Sequence, residues 1–124
     1  MHPMLNVATR TAMQAGDIIR RYSGKVENLR IHQKEENDFV TEVDRQAEQT
    51  IISALRKAYP DHAILGEESG KQGSDTAEYQ WVIDPLDGTT NFIHGIPHFA
   101  VSIALKQNGR LLLGVVYDPV KDEM

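Results

Sequence analysis

The sequence predicts an α+β fold, and three observations carry that prediction. Two amphipathic helical patterns stand at the front of the chain, the hydrophobic period turns from helical to extended after Pro60, and an Asn-Gly signal separates the last two extended runs. Over residues 4–22, Met4, Val7, Ala8, Thr11, Ala12, Ala15, Ile18, Ile19 and Tyr22 recur at gaps of three, one and four, which is one face of a helix. Pro3 suits the first turn, where its missing N–H costs nothing, and Gly24 is the expected stop. Residues 23–38 carry Lys25, Arg30, Lys34, Glu35, Glu36, Asn37 and Asp38. Apart from a short β-compatible piece at 29–31 they show no period, and they read as a polar connection. Val40, Val43, Ala47, Ile51, Ala54, Leu55 and Ala58 predict a second helix, opened by a Thr41-x-x-Asp44 capping box and closed at Pro60.

Four extended runs follow. Ala63-Ile64-Leu65 is short and apolar, leading into Gly66-Glu67-Glu68-Ser69-Gly70, and residues 71–78 read as a polar surface excursion. Residues 79–83, with the single Trp81, form a strand expected to stop at Asp84-Pro85, and residues 98–106 and 110–117 flank the turn at Asn108-Gly109. Two helices before at least four strands favour α+β over repeating βαβ units, and no internal repeat or low-complexity tract interrupts them. The chain ends just after turn chemistry at Asp118-Pro119-Val120-Lys121-Asp122, so a returning arm is missing and a longer parent is expected.

Composition narrows the function classes. The 124 residues hold 13 Lys+Arg against 18 Asp+Glu, a formal charge of −5, with no basic run of the kind that marks a nucleic-acid or membrane-surface patch. A chain this long buries roughly two thirds of the surface its unfolded form exposes, enough for one core. No apolar stretch approaches the ~20 residues a spanning helix needs, and the first residues do not open a secretory signal, so a cytoplasmic location is the reading. With no cysteine there is no disulfide and no thiolate ligand, and a metal here must be held by oxygen or imidazole.

The densest chemistry is Asp84-Pro85-Leu86-Asp87-Gly88-Thr89-Thr90-Asn91. Pro85 fixes its own φ and keeps Asp84 out of the helical region, while Gly88 permits a close backbone approach. That geometry can aim two carboxylates and the Leu86 carbonyl at one point, a donor set that suits a hard cation, Mg²⁺ before Zn²⁺. Thr89 and Thr90 would then stand at a helix N-terminus, where free N–H groups and the dipole favour phosphate. Against this stands an acidic Asp-Pro, Asp-Gly turn with no metal at all. Asp44 also has a bland reading as the charged member of a helix cap, Lys34 as a solvated loop lysine, and Glu67-Glu68 as a solvated loop. His94 and His98 have helical metal spacing, but Gly95 and Pro97 spoil that helix, so structural histidines are favoured. Trp81, Phe92 and Phe99 read as core.

The run from Trp81 to Phe92, with its Asp-Pro-Leu-Asp-Gly-Thr-Thr-Asn centre, resembles the first signature of the inositol monophosphatase family, and Gly66-Glu67-Glu68-Ser69 resembles its upstream metal-binding glutamate motif. The segment Asp38-Phe39-Val40-Thr41-Glu42-Val43-Asp44 is similar to the family segment before its second helix, so the resemblance runs the length of the chain. It implies a layered αβαβα sandwich of the inositol monophosphatase and fructose-1,6-bisphosphatase type. Residues 1–124 would be a single, truncated N-terminal portion of that metal-dependent phosphatase domain. It also implies Mg²⁺ held by Glu67, Asp84, the Leu86 carbonyl and Asp87, phosphate and substrate contacts from Glu67, Leu86, Asp87, Gly88 and Thr89, and a water activated at the metal. Asp44 and Thr89, with Glu67, would be the catalytic set, with a weaker role for Lys34.

The implied reaction is hydrolysis of a small polyol phosphate, inositol 1-phosphate foremost, with lithium sensitivity and a homodimeric longer form. Some bacterial members are associated with transcription antitermination complexes, so a binding role in the transcription machinery is the alternative, and an inactive fragment a third. The family's second half carries a Trp-Asp signature whose aspartate binds another metal, and nothing here matches it. Useful turnover by these 124 residues alone is therefore not expected, and the helix faces at Ile18, Ile19, Ile51 and Leu55 are expected to lack part of their cover.

Overall fold

Two helices lie over one face of a five-stranded sheet in the computed structural model, which describes residues 3–28, 33–66, 70–74, 76–87 and 99–124, with side chains for all of these but 23–41 and Asp87. The elements run α1 (Pro3–Asn28), α2 (Gln33–Ala58), β1 (Ala63–Gly66), β2 (Gly70–Gln72), β3 (Tyr79–Asp87), β4 (Ala100–Gln107) and β5 (Arg110–Tyr117). The strand order is β2-β1-β3-β4-β5, with β1 and β3 parallel and every other pair antiparallel. This is the α+β class that the change of period predicted.

Both helices are longer than their apolar periods. α1 continues through Gly24 to Asn28, because one interior glycine costs only about 1 kcal/mol relative to alanine and ends a helix only when it turns left-handed. α2 begins at Gln33, so most of the expected polar connection is helical. Glu35, Glu36 and Asp38 favour that outcome, since acids in the opening turns complement the helix dipole, yet a polar stretch has no hydrophobic period to reveal it. Thr41 therefore lies inside α2, and the Thr41-x-x-Asp44 capping box is overturned. The helix stops at Ala58, ahead of Pro60, as expected.

Residues 70–72 correct a second expectation. In place of a loop they form the edge strand β2, paired antiparallel to β1 with Gly66 opposite Gly70. Three residues of mixed polarity give no alternation to read. The hairpin was legible: Asn108 and Gly109 both take positive φ, 50° and 80°, which the right-handed twist of β4 and β5 demands of a two-residue turn. After β5, Asp118 Oδ1 accepts from the N–H groups of Val120 and Lys121, confirming turn chemistry there.

The core lies between the helical layer and the sheet, where Ala8, Ala12, Ala15, Ile19, Ala47, Ile51 and Leu55 meet Trp81, Ile83, Val101, Ile103 and Leu105, and Phe99 joins them. Ile19, Ile51 and Leu55 are fully buried and Ile18 is half-buried, so the expectation that these faces lack cover is wrong. Small alanines on α1 and α2 let the helices approach each other and the sheet closely enough to seal that layer. Exposed apolar residues stand on the strands, with Leu65 38%, Val116 59% and Leu111 70% exposed, and Met13 stands on α1 at 42%.

One polar cluster fixes the start of the parallel pair. Trp81 Nε1 donates to His62 Nδ1 at 3.1 Å, and the His62 ring stacks on Tyr59 at 4.7 Å and packs against Tyr79. An indole only donates, so Nδ1 must be unprotonated and His62 neutral. Burial lowers the His62 pKa below its ordinary value, against the opposing pull of Asp61 and Glu78. A lowered folded value means the unfolded chain binds the proton more readily. Stability is therefore full above about pH 6.5 and declines as pH falls toward the lowered value. Urea midpoints at pH 7.5 and 5.0 should fall further for the wild type than for His62→Gln; equal falls would show that this bond contributes nothing to the pH dependence.

Candidate functional site

The parallel pairing of β1 and β3 organises the acidic residues. Its register sets Gly66 against Ile83, and in the sequence Glu67 follows the one while Asp84 follows the other. The pairing brings the end of β1, just before the Glu67 motif in sequence, level with Ile83 of β3, just before Asp84. The strand β3 does not stop at Asp84-Pro85 as expected. It continues to Asp87 through a bulge, because Asp84 pairs with Ser102 and Asp87 with Ala100, three steps along β3 against two along β4. Pro85 has no N–H to offer the ladder, and a bulge is where a strand tolerates that.

The extra residue re-aims the chain. Ile83, Pro85 and Leu86 are all buried, with Leu86 only 2% exposed, so the alternation breaks between Pro85 and Leu86. The Leu86 side chain belongs to the core, which leaves its backbone as the part able to serve a ligand. Asp84 is half-buried, and its Oδ1 is shut off from solvent with no hydrogen-bond partner among the described residues. A buried carboxylate oxygen in that state costs free energy, about 1–3 kcal/mol for a lost partner, and a bound cation relieves it. On this observation, and on an oxygen-only donor set, the residues fit Mg²⁺.

Asp44 is not the exposed end of a cap. It sits inside α2 at 6% exposure, on the face that carries Val43, Ala47 and Ile51. Only Tyr59 to His62 separate α2 from β1, so the chain turns sharply and β1 runs back along the helix. Glu48 meets Gly66 at the C-terminal end of β1, and Asp44 stands one turn earlier in α2. Glu48 itself, fully buried, went unnoticed in the sequence. The available signal was its spacing, one turn after Asp44 and on an otherwise apolar stripe.

Among the described residues no three His, Asp or Glu side chains gather as a metal cluster. Glu67, Gly88, Thr89, Phe92, His94 and His98 lie outside the described residues, as do the side chains of Lys34 and Asp87. Trp81 and Phe99 are core residues as expected, at 0% and 5% exposure. No helix among the described residues is long and apolar enough to cross a membrane.

Comparison with known proteins covers the whole chain. The Inositol monophosphatase family profile matches residues 1–124. The chain is 59% identical to Nus factor SuhB of Pseudomonas aeruginosa, covering 99% of this chain and 46% of that protein. It is 52% identical to Nus factor SuhB of Escherichia coli strain K12, covering 100% and 46%. Among solved structures, the extragenic suppressor protein SuhB from Bartonella henselae superposes with a TM-score of 0.85 at 41% identity, over 98% of this chain and 46% of that one. The inositol monophosphatase of an Anabaena species gives 0.82 at 42% identity, over 97% and 41%. The chain thus spans about half the length of the curated relatives it matches, and its architecture corresponds to the N-terminal part of their fold.

Proposed function

The chain belongs to the inositol monophosphatase family, and from that premise we propose that it carries the metal- and phosphate-binding segments of a Mg²⁺-dependent phosphomonoesterase acting on a small polyol phosphate, inositol 1-phosphate foremost. The observation that carries this reading is Asp84, whose enclosed Oδ1 has no partner among the described residues and stands in the strand that leads through a bulge to Asp87. Glu67, Asp84, the Leu86 carbonyl and Asp87 would hold the ion. What Mg²⁺ supplies when bound is acidification of a water and neutralisation of charge on the phosphoryl and leaving-group oxygens. Asp44, buried on α2, is the acceptor for the proton of the attacking water, with Thr89 orienting that water. The water oxygen bonds to phosphorus as the ester P–O bond breaks, the water's proton passes to Asp44, and the departing alkoxide takes a proton from a solvent water. Gly88 and Thr89 would hold the phosphate through backbone N–H groups and a hydroxyl.

Asp44→Asn tests the base. In any form of the protein that releases phosphate from inositol 1-phosphate, it should lower kcat by about 10²–10⁴-fold with KM little changed. An unchanged kcat would remove Asp44 from the mechanism. The 124 residues alone are expected to turn over far more slowly than a longer natural form, and comparable rates from the two would show that the site is misplaced. Lithium inhibition of the longer form is expected as well.

A second reading rests on the relatives named Nus factors. In it a surface of the longer protein joins transcription antitermination complexes. The two readings separate in Asp84→Asn, which should abolish hydrolysis and leave such an assembly intact.

A further inference from the structure

We propose that Glu48 is a positioning residue of the metal site, acting through Gly66; the inference rests on the phosphatase reading above. Glu48 is fully buried, at a place where α2 otherwise presents Val43, Ala47, Ile51 and Leu55 to the core. An apolar side chain would fill such a place without the desolvation cost of a carboxyl group. The carboxyl group lies against β1. A Cβ on Gly66 would lie 2.7 Å from Glu48 Oε1, 2.9 Å from Cδ and 3.4 Å from Oε2, so the carboxyl group lies against the strand in space that only a glycine leaves free.

Gly66 is not required by its backbone conformation. Among the described residues the glycines with positive φ are Gly70, Gly73 and Gly109, whereas Gly66 lies in an ordinary strand and pairs in register with Ile83. The glycine is therefore there for the close approach of Glu48. The residue that follows it is Glu67, and the residue after its partner Ile83 is Asp84. Glu48 thus bears on the parallel pair at its Gly66–Ile83 end, one helical turn from Asp44. It touches neither substrate nor metal; it sets the height of the β1 end, where the chain leads on to Glu67, against α2 and against Ile83 and Asp84 of β3.

The experiment uses Mn²⁺ as an oxygen-seeking probe, titrated into the 124-residue chain and followed by electron paramagnetic resonance, with melting by circular dichroism beside it. The wild type should bind Mn²⁺. Gly66→Ala should weaken binding about 10- to 100-fold, as loss of a supporting contact does at metal sites. Adding Glu48→Asp, which withdraws the carboxyl group by one methylene, should restore most of that loss. Full affinity in Gly66→Ala, or equal loss in the single and double variants, would overturn the positioning role. Should Gly66→Ala not fold, Glu48→Gln decides. It keeps the volume, and weaker binding at an unchanged melting temperature supports the role, while unchanged binding overturns it. A wild-type chain that binds no Mn²⁺ refutes the phosphatase reading itself, and this inference with it.

Discussion

Asp84→Asn is expected to abolish the stabilisation that Mg²⁺ gives this chain. In the absence of metal the substitution should not destabilise, since Oδ1 of Asp84 has no partner among the described residues to lose, and a neutral amide costs less to enclose than a carboxylate. With metal the two proteins should diverge. An ion bound only by the folded state adds about 2.7 kcal/mol at a concentration one hundred times its dissociation constant, which for a domain of this size raises the melting temperature by roughly 10 °C. The wild type should show that rise and Asp84→Asn should not. In a catalytically active form, the same change should cut phosphate release by more than about 100-fold. Partners that merely support a ligand already account for 10- to 100-fold, and Asp84 is proposed as a ligand itself. Asp87→Asn is expected to behave alike, with a normal circular dichroism spectrum. An undiminished Mg²⁺ shift in Asp84→Asn would take the metal away from this bulge.

What could be read from the residues and what could not divides along a physical line. Periodicity located the apolar stripes of both helices, the Asn108-Gly109 hairpin and the extended runs, because burial on one face writes itself into spacing. It failed where no burial pattern exists, at the polar first turns of α2 and at the three-residue edge strand β2. It also misjudged Pro85, a reliable stop in most strands, because a bulge absorbs its missing N–H. The acids were visible as motifs, yet no local pattern states that β1, which precedes Glu67 in sequence, runs parallel to β3, which holds Asp84. Asp44 shows the same limit from the other side. A capping reading was reasonable for Thr41-x-x-Asp44 taken alone, and only the extension of the helix back to Gln33 moves Asp44 into a buried interior turn.

Gly16→Ala should destabilise the protein, although alanine is the better helix former by about 1 kcal/mol. A Cβ there would fall 2.5 Å from Cε2 and 2.8 Å from Cδ2 of Tyr117, and 3.1 Å from Cβ of Pro119. Neither neighbour yields easily. The Tyr117 ring is 1% exposed, its hydroxyl donates to Asp122 Oδ1 at 2.6 Å and accepts from Arg20 Nη2 at 3.5 Å, and the Pro119 ring has no rotamer to escape into. Overpacking of this kind costs about 1–3 kcal/mol, and with a rigid aromatic on the far side the upper part of that range applies. A net loss of about 2 kcal/mol should remain after the propensity gain, read as a lower urea midpoint at unchanged slope. Tyr117→Phe releases the ring from Asp122 and lets it shift, so it should recover part of the loss when combined with Gly16→Ala, a coupling that two independent sites would not show. Because Gly16 joins α1 to β5, away from the β1 and β3 ends that carry the candidate ligands, Mn²⁺ affinity should stay as in the wild type at temperatures where the variant is folded. A Gly16→Ala protein more stable than its parent would mean that α1 and β5 are packed loosely enough for helix propensity to decide.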